Sequence, residues 1–380
     1  MQIVGIICEY DPLHLGHEKQ LGLARQALGQ DTALVSMMSG DFVQRGKPAI
    51  VHKSVRARAA ILSGADLVLE LPVTGSLSSA EGFAAQAVAL LGAWCTHLCF
   101  GAEDPDPGPL MATAQALLSD QFPPAVRQAL QKGLSFPAAR AAALEAMGLD
   151  PKLVSSPNDI LGVEYCKAII SQGVPMIPMP IHRPGSYHDQ VPSPTDPSAT
   201  AVRRLMLSGE DYRPYLPPQT ARLYENASLH ALSAGERAVL ARLRTMTEEA
   251  FQALPYGSEG LWRKLMHAAR REATLEAVAA AVKSKRYARS RIDRMIACAF
   301  LGLTAEDLAA PAPYARVLAL NDRGRTVLSL AREHGLYPNL GQKLDCPYEQ
   351  IEDRAAALYG LFALDGPELP PKKQRPVYIP

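Results

Sequence analysis

Apolar and polar positions divide the chain into two parts with different periodicities. Over the first 100 residues, short apolar runs alternate with stretches whose apolar residues recur every three or four positions. This alternation is typical of strands connected by helices in a parallel, doubly wound sheet with right-handed crossovers. The strands predicted in this way are Ile3–Cys8, Ala33–Met38, Leu67–Leu71, His97–Phe100 and, further along, Met176–Ile181.

The pattern changes near residue 228. From there the chain is helical and rich in Ala, Leu and Arg, with one late strand candidate at Arg316–Leu320. A proline-dense stretch, Tyr212–Pro218, precedes the change and is typical of a domain boundary. We therefore predict an α/β, Rossmann-like domain over residues 1–225 and a mostly α-helical domain over residues 226–380.

Composition says little about the fold but limits the cellular compartment and the partners of the protein. With 48% hydrophobic and 20% charged residues and a net charge of +1, the chain has no overall field that attracts nucleic acid. No apolar run reaches the roughly 20 residues that cross a bilayer, and the N-terminus shows no charged leader. Six scattered cysteines favour reduced, buried thiols. We expect a cytoplasmic protein with no membrane partner.

Cysteine spacing gives one candidate metal site. Cys95, His97 and Cys99 would share a face of an alternating strand, but no fourth ligand is evident, and structural zinc normally takes four. We therefore predict core cysteines and no protein metal site.

The junction after the first strand carries the most chemical information. Asp11-Pro12 breaks the apolar run of Ile3–Cys8, and a helical pattern opens near Gly16. A strand, a tight turn and a helix N-terminus bring unpaired N–H groups and the positive end of a helix dipole together, which favours phosphate binding. His14 and His17 are three positions apart and can face the same point. Gly16 allows a ligand to approach the backbone closely.

Polar residues also follow the other predicted strands, and the carboxyl ends of parallel strands share the edge where ligands bind. The loop Ser39–Pro48 carries Arg45 and Lys47, with Lys53 soon after. Beside a phosphate site these cations would suit a lid over a triphosphate, whereas a solvated loop is the alternative.

Two further helix starts carry candidate ligand contacts. Asn158 opens one helix, where an ordinary N-cap is the alternative role. Ser198–Arg203 opens another, with hydroxyls and an arginine that fit either helix capping or a second phosphate contact.

The helical part contains two basic segments. Gly260–Arg271 is followed by Val282–Arg294, in which six basic residues and Tyr287 accompany one acid. Basic clusters with an aromatic residue fit an RNA backbone, whereas a solvated helix face is the alternative. The shortage of acids favours RNA. The residues predicted to bind it are Lys283, Lys285, Arg286, Arg289 and Arg291.

His14-Leu15-Gly16-His17 resembles the H-x-G-H signature of the nucleotidyltransferase superfamily. Together with six other segments it resembles the bacterial tRNA(Met) cytidine acetate ligase family over nearly the whole chain. The segments are Gly5–His17, Met38–Pro48, Asp66–Pro72, Phe100–Glu103, Pro157–Gly162, Tyr187–Asp189 and Lys285–Arg294.

The resemblance implies a sheet of the nucleotidyltransferase type, an ATP-binding domain over residues 1–225 and a tRNA-binding domain over 226–380. It implies that acetate is activated with ATP to acetyl-adenylate and transferred to N4 of the wobble cytidine (C34) of elongator tRNA(Met). His14 and His17 would be catalytic, with Mg²⁺ held mainly by the phosphates and water. The implied ATP contacts are Ile7, Cys8, Glu9, Tyr10, Asp11, Pro12, Leu13, His14, Leu15, Gly16, His17, Gln20, Gly101, Asn158 and Arg183.

Two other functions compete with this one. A small-molecule adenylyltransferase would use the same junction but has no use for a basic helical domain. A non-catalytic RNA-binding protein with a vestigial Rossmann-like domain would not need His14, Gly16 and His17 intact.

Overall fold

A seven-stranded sheet organises the structure, a computed structural model that describes residues 1–183, 193–284, 286–333, 347–369 and 375–380. The strand order is β7-β6-β1-β2-β5-β8-β9, and a separate hairpin pairs β3 with β4. The strands are β1 Ile3–Cys8, β2 Ala33–Ser39, β3 Phe42–Val43, β4 Lys47–Pro48, β5 Leu67–Leu71, β6 His97–Ala102, β7 Ile177–His182, β8 Arg316–Leu320 and β9 Val377–Tyr378.

Helices connect and cover these strands. Through residue 225 they are α1 Leu15–Leu28, α2 Lys53–Leu62, α3 Val73–Ser76, α4 Ala80–Leu91, α5 Pro107–Leu118, α6 Phe122–Gln131, α7 Phe136–Ala146, α8 Pro157–Gln172, α9 Ala199–Ser208 and α10 Pro218–Glu225. Beyond it they are α11 Leu232–Thr245, α12 Glu248–Gln252, α13 Leu261–Arg271, α14 Leu275–Val282, α15 Arg289–Leu301, α16 Ala305–Ala309, α17 Asp322–Glu333 and α18 Pro347–Tyr359.

Both faces of the sheet are buried, which explains the unbroken apolar run of β1. Successive side chains of a strand point to opposite faces. Val4 and Ile6 pack in one core with Leu21 of α1, whereas Ile3 and Ile7 lie in the core on the other face. A parallel strand covered by helices on both sides needs apolar residues at every position. The predicted Rossmann-like α/β class is confirmed.

The late strand β8 has the predicted bounds but runs antiparallel to β5, which makes the sheet mixed. With β9 it extends the sheet from beyond residue 225. Conversely, Phe42, Val73 and Leu77 pack in the core of the helical part. The sheet therefore contains strands from both sides of residue 225, and the core of the helical part contains residues from before it.

Two further observations concern membrane-spanning helices and the state of the cysteines. In the described ranges every helix is too short or too polar to cross a bilayer. The five cysteines among the described residues are buried and free, in agreement with the predicted thiols. Cys346 lies outside the described residues.

Candidate active site

Two stacked imidazoles lie where β1 leads into α1. His14 precedes the helix with extended backbone (φ −138°, ψ 174°), and its ring centroid lies 3.8 Å from that of His17. Nδ1 of His17 accepts a hydrogen bond from the backbone N–H of His14 at 3.3 Å, and Tyr10 meets the His17 ring edge-on. The two rings therefore form one unit at the helix N-terminus.

Both imidazoles have a lowered pKa, which favours their neutral forms. His14 is 1% exposed, and burial holds its pKa well below the usual value. Burial and then the charge of Arg183 lower the pKa of His17 to about 3. Among the described residues neither ring nitrogen of His14 has a hydrogen-bond partner. Since a neutral imidazole carries one N–H donor, and an unpaired buried donor is costly, the pair suits an incoming anionic oxygen.

His17 lines a groove at the carboxyl edge of the sheet. Five predicted ATP contacts line it: Gly16, His17, Gln20, Gly101 and Arg183. A Cβ on Gly16 would lie 3.1 Å from Cε1 of His14, and one on Gly101 would lie 3.3 Å from Cδ of Arg183. The two glycines therefore make room for the side chains of His14 and Arg183.

The groove also contains an ion pair whose two residues were not predicted from the sequence. Nζ of Lys19 lies 2.9 Å from the Asp196 carboxylate, and both residues line the groove. Lys19 lies between the predicted ATP contacts His17 and Gln20, but its exposed position on α1 carries no local signal.

Asn158 lies in the first turn of α8 and is not its N-cap, which is Ser156. The neighbouring Asp159 accepts hydrogen bonds from the backbone N–H of Glu103 at 2.9 Å and from the Ser156 hydroxyl at 2.6 Å. These contacts tie α8 to the end of β6. Within the described residues the Asn158 side chain makes no hydrogen bond. The alternative role as a cap is therefore wrong.

Several predicted contacts have side chains in the apolar cores. Ile7, Cys8, Tyr10 and Leu13 are between 0 and 9% exposed and pack among core residues. Only their backbone groups are free to face a ligand.

The turn before His14 is held from outside. Asp11 precedes a cis peptide bond to Pro12. Its carboxylate accepts from the backbone N–H of Ile50 at 2.6 Å and from Arg203 at 3.3 Å, and Arg203 also donates to the Asp11 carbonyl. The Tyr224 hydroxyl accepts from the N–H of Leu13 at 3.0 Å. Arg203 thus supports the turn, rather than standing free as a phosphate contact.

A buried arginine fixes the ends of two strands. Arg56 is fully buried and donates to the carbonyls of Glu9 at 2.7 Å and Ser39 at 3.0 Å, and also to that of Gly40. These residues follow or end β1 and β2. An arginine within the Ala-rich apolar stripe of α2 was the sequence signal for this role.

Lys53 is not a lid cation. Its ammonium is buried, 2.6 Å from Oε1 of Glu70 and 3.0 Å from Oδ2 of Asp41. These carboxylates raise the Lys53 pKa despite burial. The β3–β4 hairpin is also docked: Gly46 has φ +73°, and a Cβ there would lie 2.5 Å from the carbonyl carbon of Asp293. The loop connects the sheet to α15.

Three arginines of the predicted RNA-binding run are bonded within the protein, two of them to acids. Lys283 is exposed, whereas Lys285 lies outside the described residues. Arg286 pairs with Glu259 at 2.7 Å, and Arg289 pairs with Glu276 and Asp293, each at 2.7 Å. Arg291 donates to the Tyr256 carbonyl and the Ser258 hydroxyl, both at 2.8 Å.

Tyr287 is buried, with Lys264, Arg286 and Arg291 over its ring. It therefore offers no open face for a base to stack on.

Metal ligands do not cluster in the part of the chain that the structure describes. No group of three or more His, Cys, Asp or Glu side chains there is placed to hold a metal ion.

A sheet whose first strand leads into an H-x-G-H turn at a helix N-terminus defines a nucleotide-binding enzyme of the nucleotidyltransferase type. The family model described as HIGH Nucleotidyl Transferase matches residues 1–364. The tRNA(Met) cytidine acetate ligase of Anoxybacillus flavithermus is 35% identical over 379 residues, covering 94% of each chain. That of Clostridium acetobutylicum is 35% identical over 351 residues, covering 86% of this chain and 87% of the relative.

Two solved structures are also similar to this chain over its whole length. The crystal structure of apo Thermotoga maritima TmcAL is similar with a TM-score of 0.89 and 28% identity, over 100% of both chains. The same protein bound with alpha-thio ATP gives a TM-score of 0.87, again over 100% of both chains. The chain belongs to the tRNA(Met) cytidine acetate ligase family of HIGH nucleotidyl transferases.

Proposed function

We propose that the protein activates acetate with ATP and transfers the acetyl group to N4 of the wobble cytidine, C34, of elongator tRNA(Met), forming N4-acetylcytidine. Family membership supports the reaction, and a relative bound with alpha-thio ATP supports the nucleotide. The observation that carries the proposal is the His14–His17 stack beside Gly16 at a helix N-terminus, in which both ring nitrogens of the buried His14 lack a partner among the described residues.

In the first step, a carboxylate oxygen of acetate attacks the α-phosphorus of ATP. A new O–P bond forms, the bond to the bridging oxygen breaks, and pyrophosphate leaves. Negative charge grows on the phosphoryl oxygens, where N–H donors of His14 and His17 and the positive end of α1 stabilise it. A neutral imidazole can stabilise these oxygens because it carries one N–H donor and does not have to be protonated first.

Arg183 and Lys19 are two cations that line this groove. Arg183 lies over Gly101 and its charge lowers the pKa of His17, which supports the proposal that Arg183 binds the same phosphates. Mg²⁺ would come as part of the nucleotide, held by phosphate oxygens and water, and would neutralise phosphate charge.

In the second step, the cytidine N4 amine attacks the acetyl carbonyl carbon. The C–N bond forms, the C–O bond to the adenylate breaks, AMP leaves, and the amine loses a proton. Acetyl-adenylate is a reactive mixed anhydride, so water must be excluded until the base arrives. The cytosine must leave its stack, which costs least in a single-stranded anticodon loop.

We further propose that residues 1–225 supply the ATP site and that residues 226–380 hold the tRNA. A tRNA substrate would place the protein in the cytoplasm.

The test is mass spectrometry of nucleosides after incubation of the protein with ATP–Mg²⁺, acetate and total tRNA. N4-acetylcytidine should appear in elongator tRNA(Met), and only when acetate and ATP are both present. A reaction mixture that exchanges pyrophosphate into ATP with acetate but never acetylates tRNA would overturn the proposed acceptor. No exchange and no acetylation would overturn the reaction itself.

A further inference from the structure

Helix α13 presents five basic side chains on one face. Its buried positions are Leu261, Leu265, Met266, Ala268 and Ala269. Its exposed basic residues are Arg263, Lys264, His267, Arg270 and Arg271. With 3.6 residues per turn, the five fall within an arc of about 120° on the side away from the core. No acid interrupts this face of the helix, which we call the α13 face.

These side chains are not engaged with acids. Within the described residues none of the five basic residues of the α13 face forms an ion pair. Arg263 lies over the ring of Trp262, 4.9 Å from its centroid, and Lys264 lies over Tyr287 at 5.7 Å. In both contacts the charged group itself lies over a ring and no acid takes part, so the positive charge is not neutralised.

The helix does not need Arg270 and Arg271 for its own termination. Cations near a C-terminus often bind the last carbonyls of a helix. Here Arg244 of α11 fills that role, donating to the carbonyls of Ala269 at 3.2 Å and Glu272 at 2.9 Å. The charges of Arg270 and Arg271 therefore have no structural task at the helix end.

The neighbouring basic run differs in this respect. Arg289 is bidentate with Glu276, at 2.7 and 2.8 Å, and also bonds Asp293. Arg291 closes the loop at Tyr256 and Ser258. For these arginines to bind a phosphate, existing bonds would have to break, and their removal would loosen the fold. The cations of the α13 face can bind at no such cost.

We propose that the α13 face, rather than the 283–291 run, makes the main contact with the tRNA phosphate backbone. This inference rests on the proposed tRNA substrate and names its binding surface. Arg263 and Arg270 are seven residues apart, a rise of about 10 Å along the helix. That distance lets the face follow a nucleic-acid strand over more than one phosphate. Lys264 reaches Tyr287, so the face is continuous with the 286–291 segment, which acts as its support.

The test neutralises the α13 face without disturbing the core. The variant carries Arg263→Gln, Lys264→Gln, Arg270→Gln and Arg271→Gln. The matched control carries Gln at four other exposed basic positions, for the same loss of charge. These positions are Arg127, Lys132, Lys152 and Arg222.

Affinity for elongator tRNA(Met) is measured by filter binding at several KCl concentrations. Each lost phosphate contact flattens the log–log salt slope by about 0.7–0.9, so four contacts reduce it by about 3. The control should keep the wild-type slope to within a fraction of one contact. Arg289→Gln should lower the unfolding temperature and leave the slope nearly unchanged.

An α13 variant with the affinity and salt slope of the control would overturn the proposal, and would leave an acidic protein partner or bare solvent facing this surface. A large slope change on Arg289→Gln in a folded protein would also overturn it. Failure of the proposed function would be recognised by a different measurement. In that case the wild-type protein would bind tRNA with the expected salt slope but would form no N4-acetylcytidine.

Discussion

Gly16→Ala separates the catalytic role of the first turn of α1 from its structural role. In most helices this change is favourable, by about 0.5–1 kcal/mol, since alanine loses less backbone entropy. At Gly16, however, the new Cβ would lie 3.1 Å from Cε1 and 3.2 Å from Nδ1 of His14. The matched control is Gly22→Ala in the same helix, where the structure leaves open space around the new carbon.

The size of the effect follows from the geometry around His14. Ordinary carbon contacts start near 3.4 Å, so the His14 ring must move by a few tenths of an ångström. It cannot move towards His17, whose ring is already stacked on it at 3.8 Å. A displacement of 1 Å near the reacting atoms costs about 10²-fold in rate, so we expect about a tenfold loss in kcat/KM. Strain in the ring of about 0.5–1.5 kcal/mol should offset the helix gain.

The assay is acetate-dependent exchange of pyrophosphate into ATP, alongside chemical denaturation of each variant. Gly22→Ala should keep full activity and gain up to about 1 kcal/mol in the free energy of unfolding. Gly16→Ala should unfold within about 1 kcal/mol of wild type but exchange pyrophosphate about tenfold more slowly. Wild-type kinetics in Gly16→Ala would refute the role assigned to the close approach of His14.

Three other outcomes are expected. His17→Ala should lower the exchange rate by roughly 10²–10³, because it removes one preorganised donor; a rate within a few-fold of wild type would contradict this. Gly101→Val should raise the KM for ATP by pushing on Arg183, and a normal KM in the folded variant would place that contact outside the site. Between pH 7 and 5, wild type should lose up to about 2 kcal/mol more stability than His14→Gln, because burial lowers the pKa of His14 in the folded state, whereas unfolded His14 takes up a proton. Denaturation at both pH values tests this, and equal losses would show that His14 is not buried neutral.

The positions of the strands were predictable because the apolar character of a strand is visible in a short stretch of sequence. The runs at Ile3–Cys8, Leu67–Leu71 and Arg316–Leu320 have the predicted bounds. Their apolar character reflects burial on both faces, a local property of sequence. The direction of β8, antiparallel to β5, could not be predicted, since it depends on how a distant segment returns to the sheet.

Charge pairing was less accessible from sequence. Within residues 282–294 only one acid is visible, but Glu259 and Glu276 come from other segments and pair with Arg286 and Arg289. Likewise, Lys53 reads as a loop cation until Glu70 and Asp41 are seen beside it. The partners of a charge are set by tertiary structure, whereas its position on a helix face is periodic and predictable. For the same reason, the free cations of α13 stand out only once the acids of its surroundings are located.

Transfer of ¹⁸O from acetate tests the central claim most directly. If acetate attacks the α-phosphorus and the amine then breaks the C–O bond, one acetate oxygen must remain on the adenylate. With doubly labelled acetate, elongator tRNA(Met) and ATP, mass spectrometry should find one ¹⁸O in each AMP formed and one in the acetyl group on the tRNA. Label in pyrophosphate or inorganic phosphate, or AMP without label, would contradict attack at the α-phosphorus at the His14–His17 site.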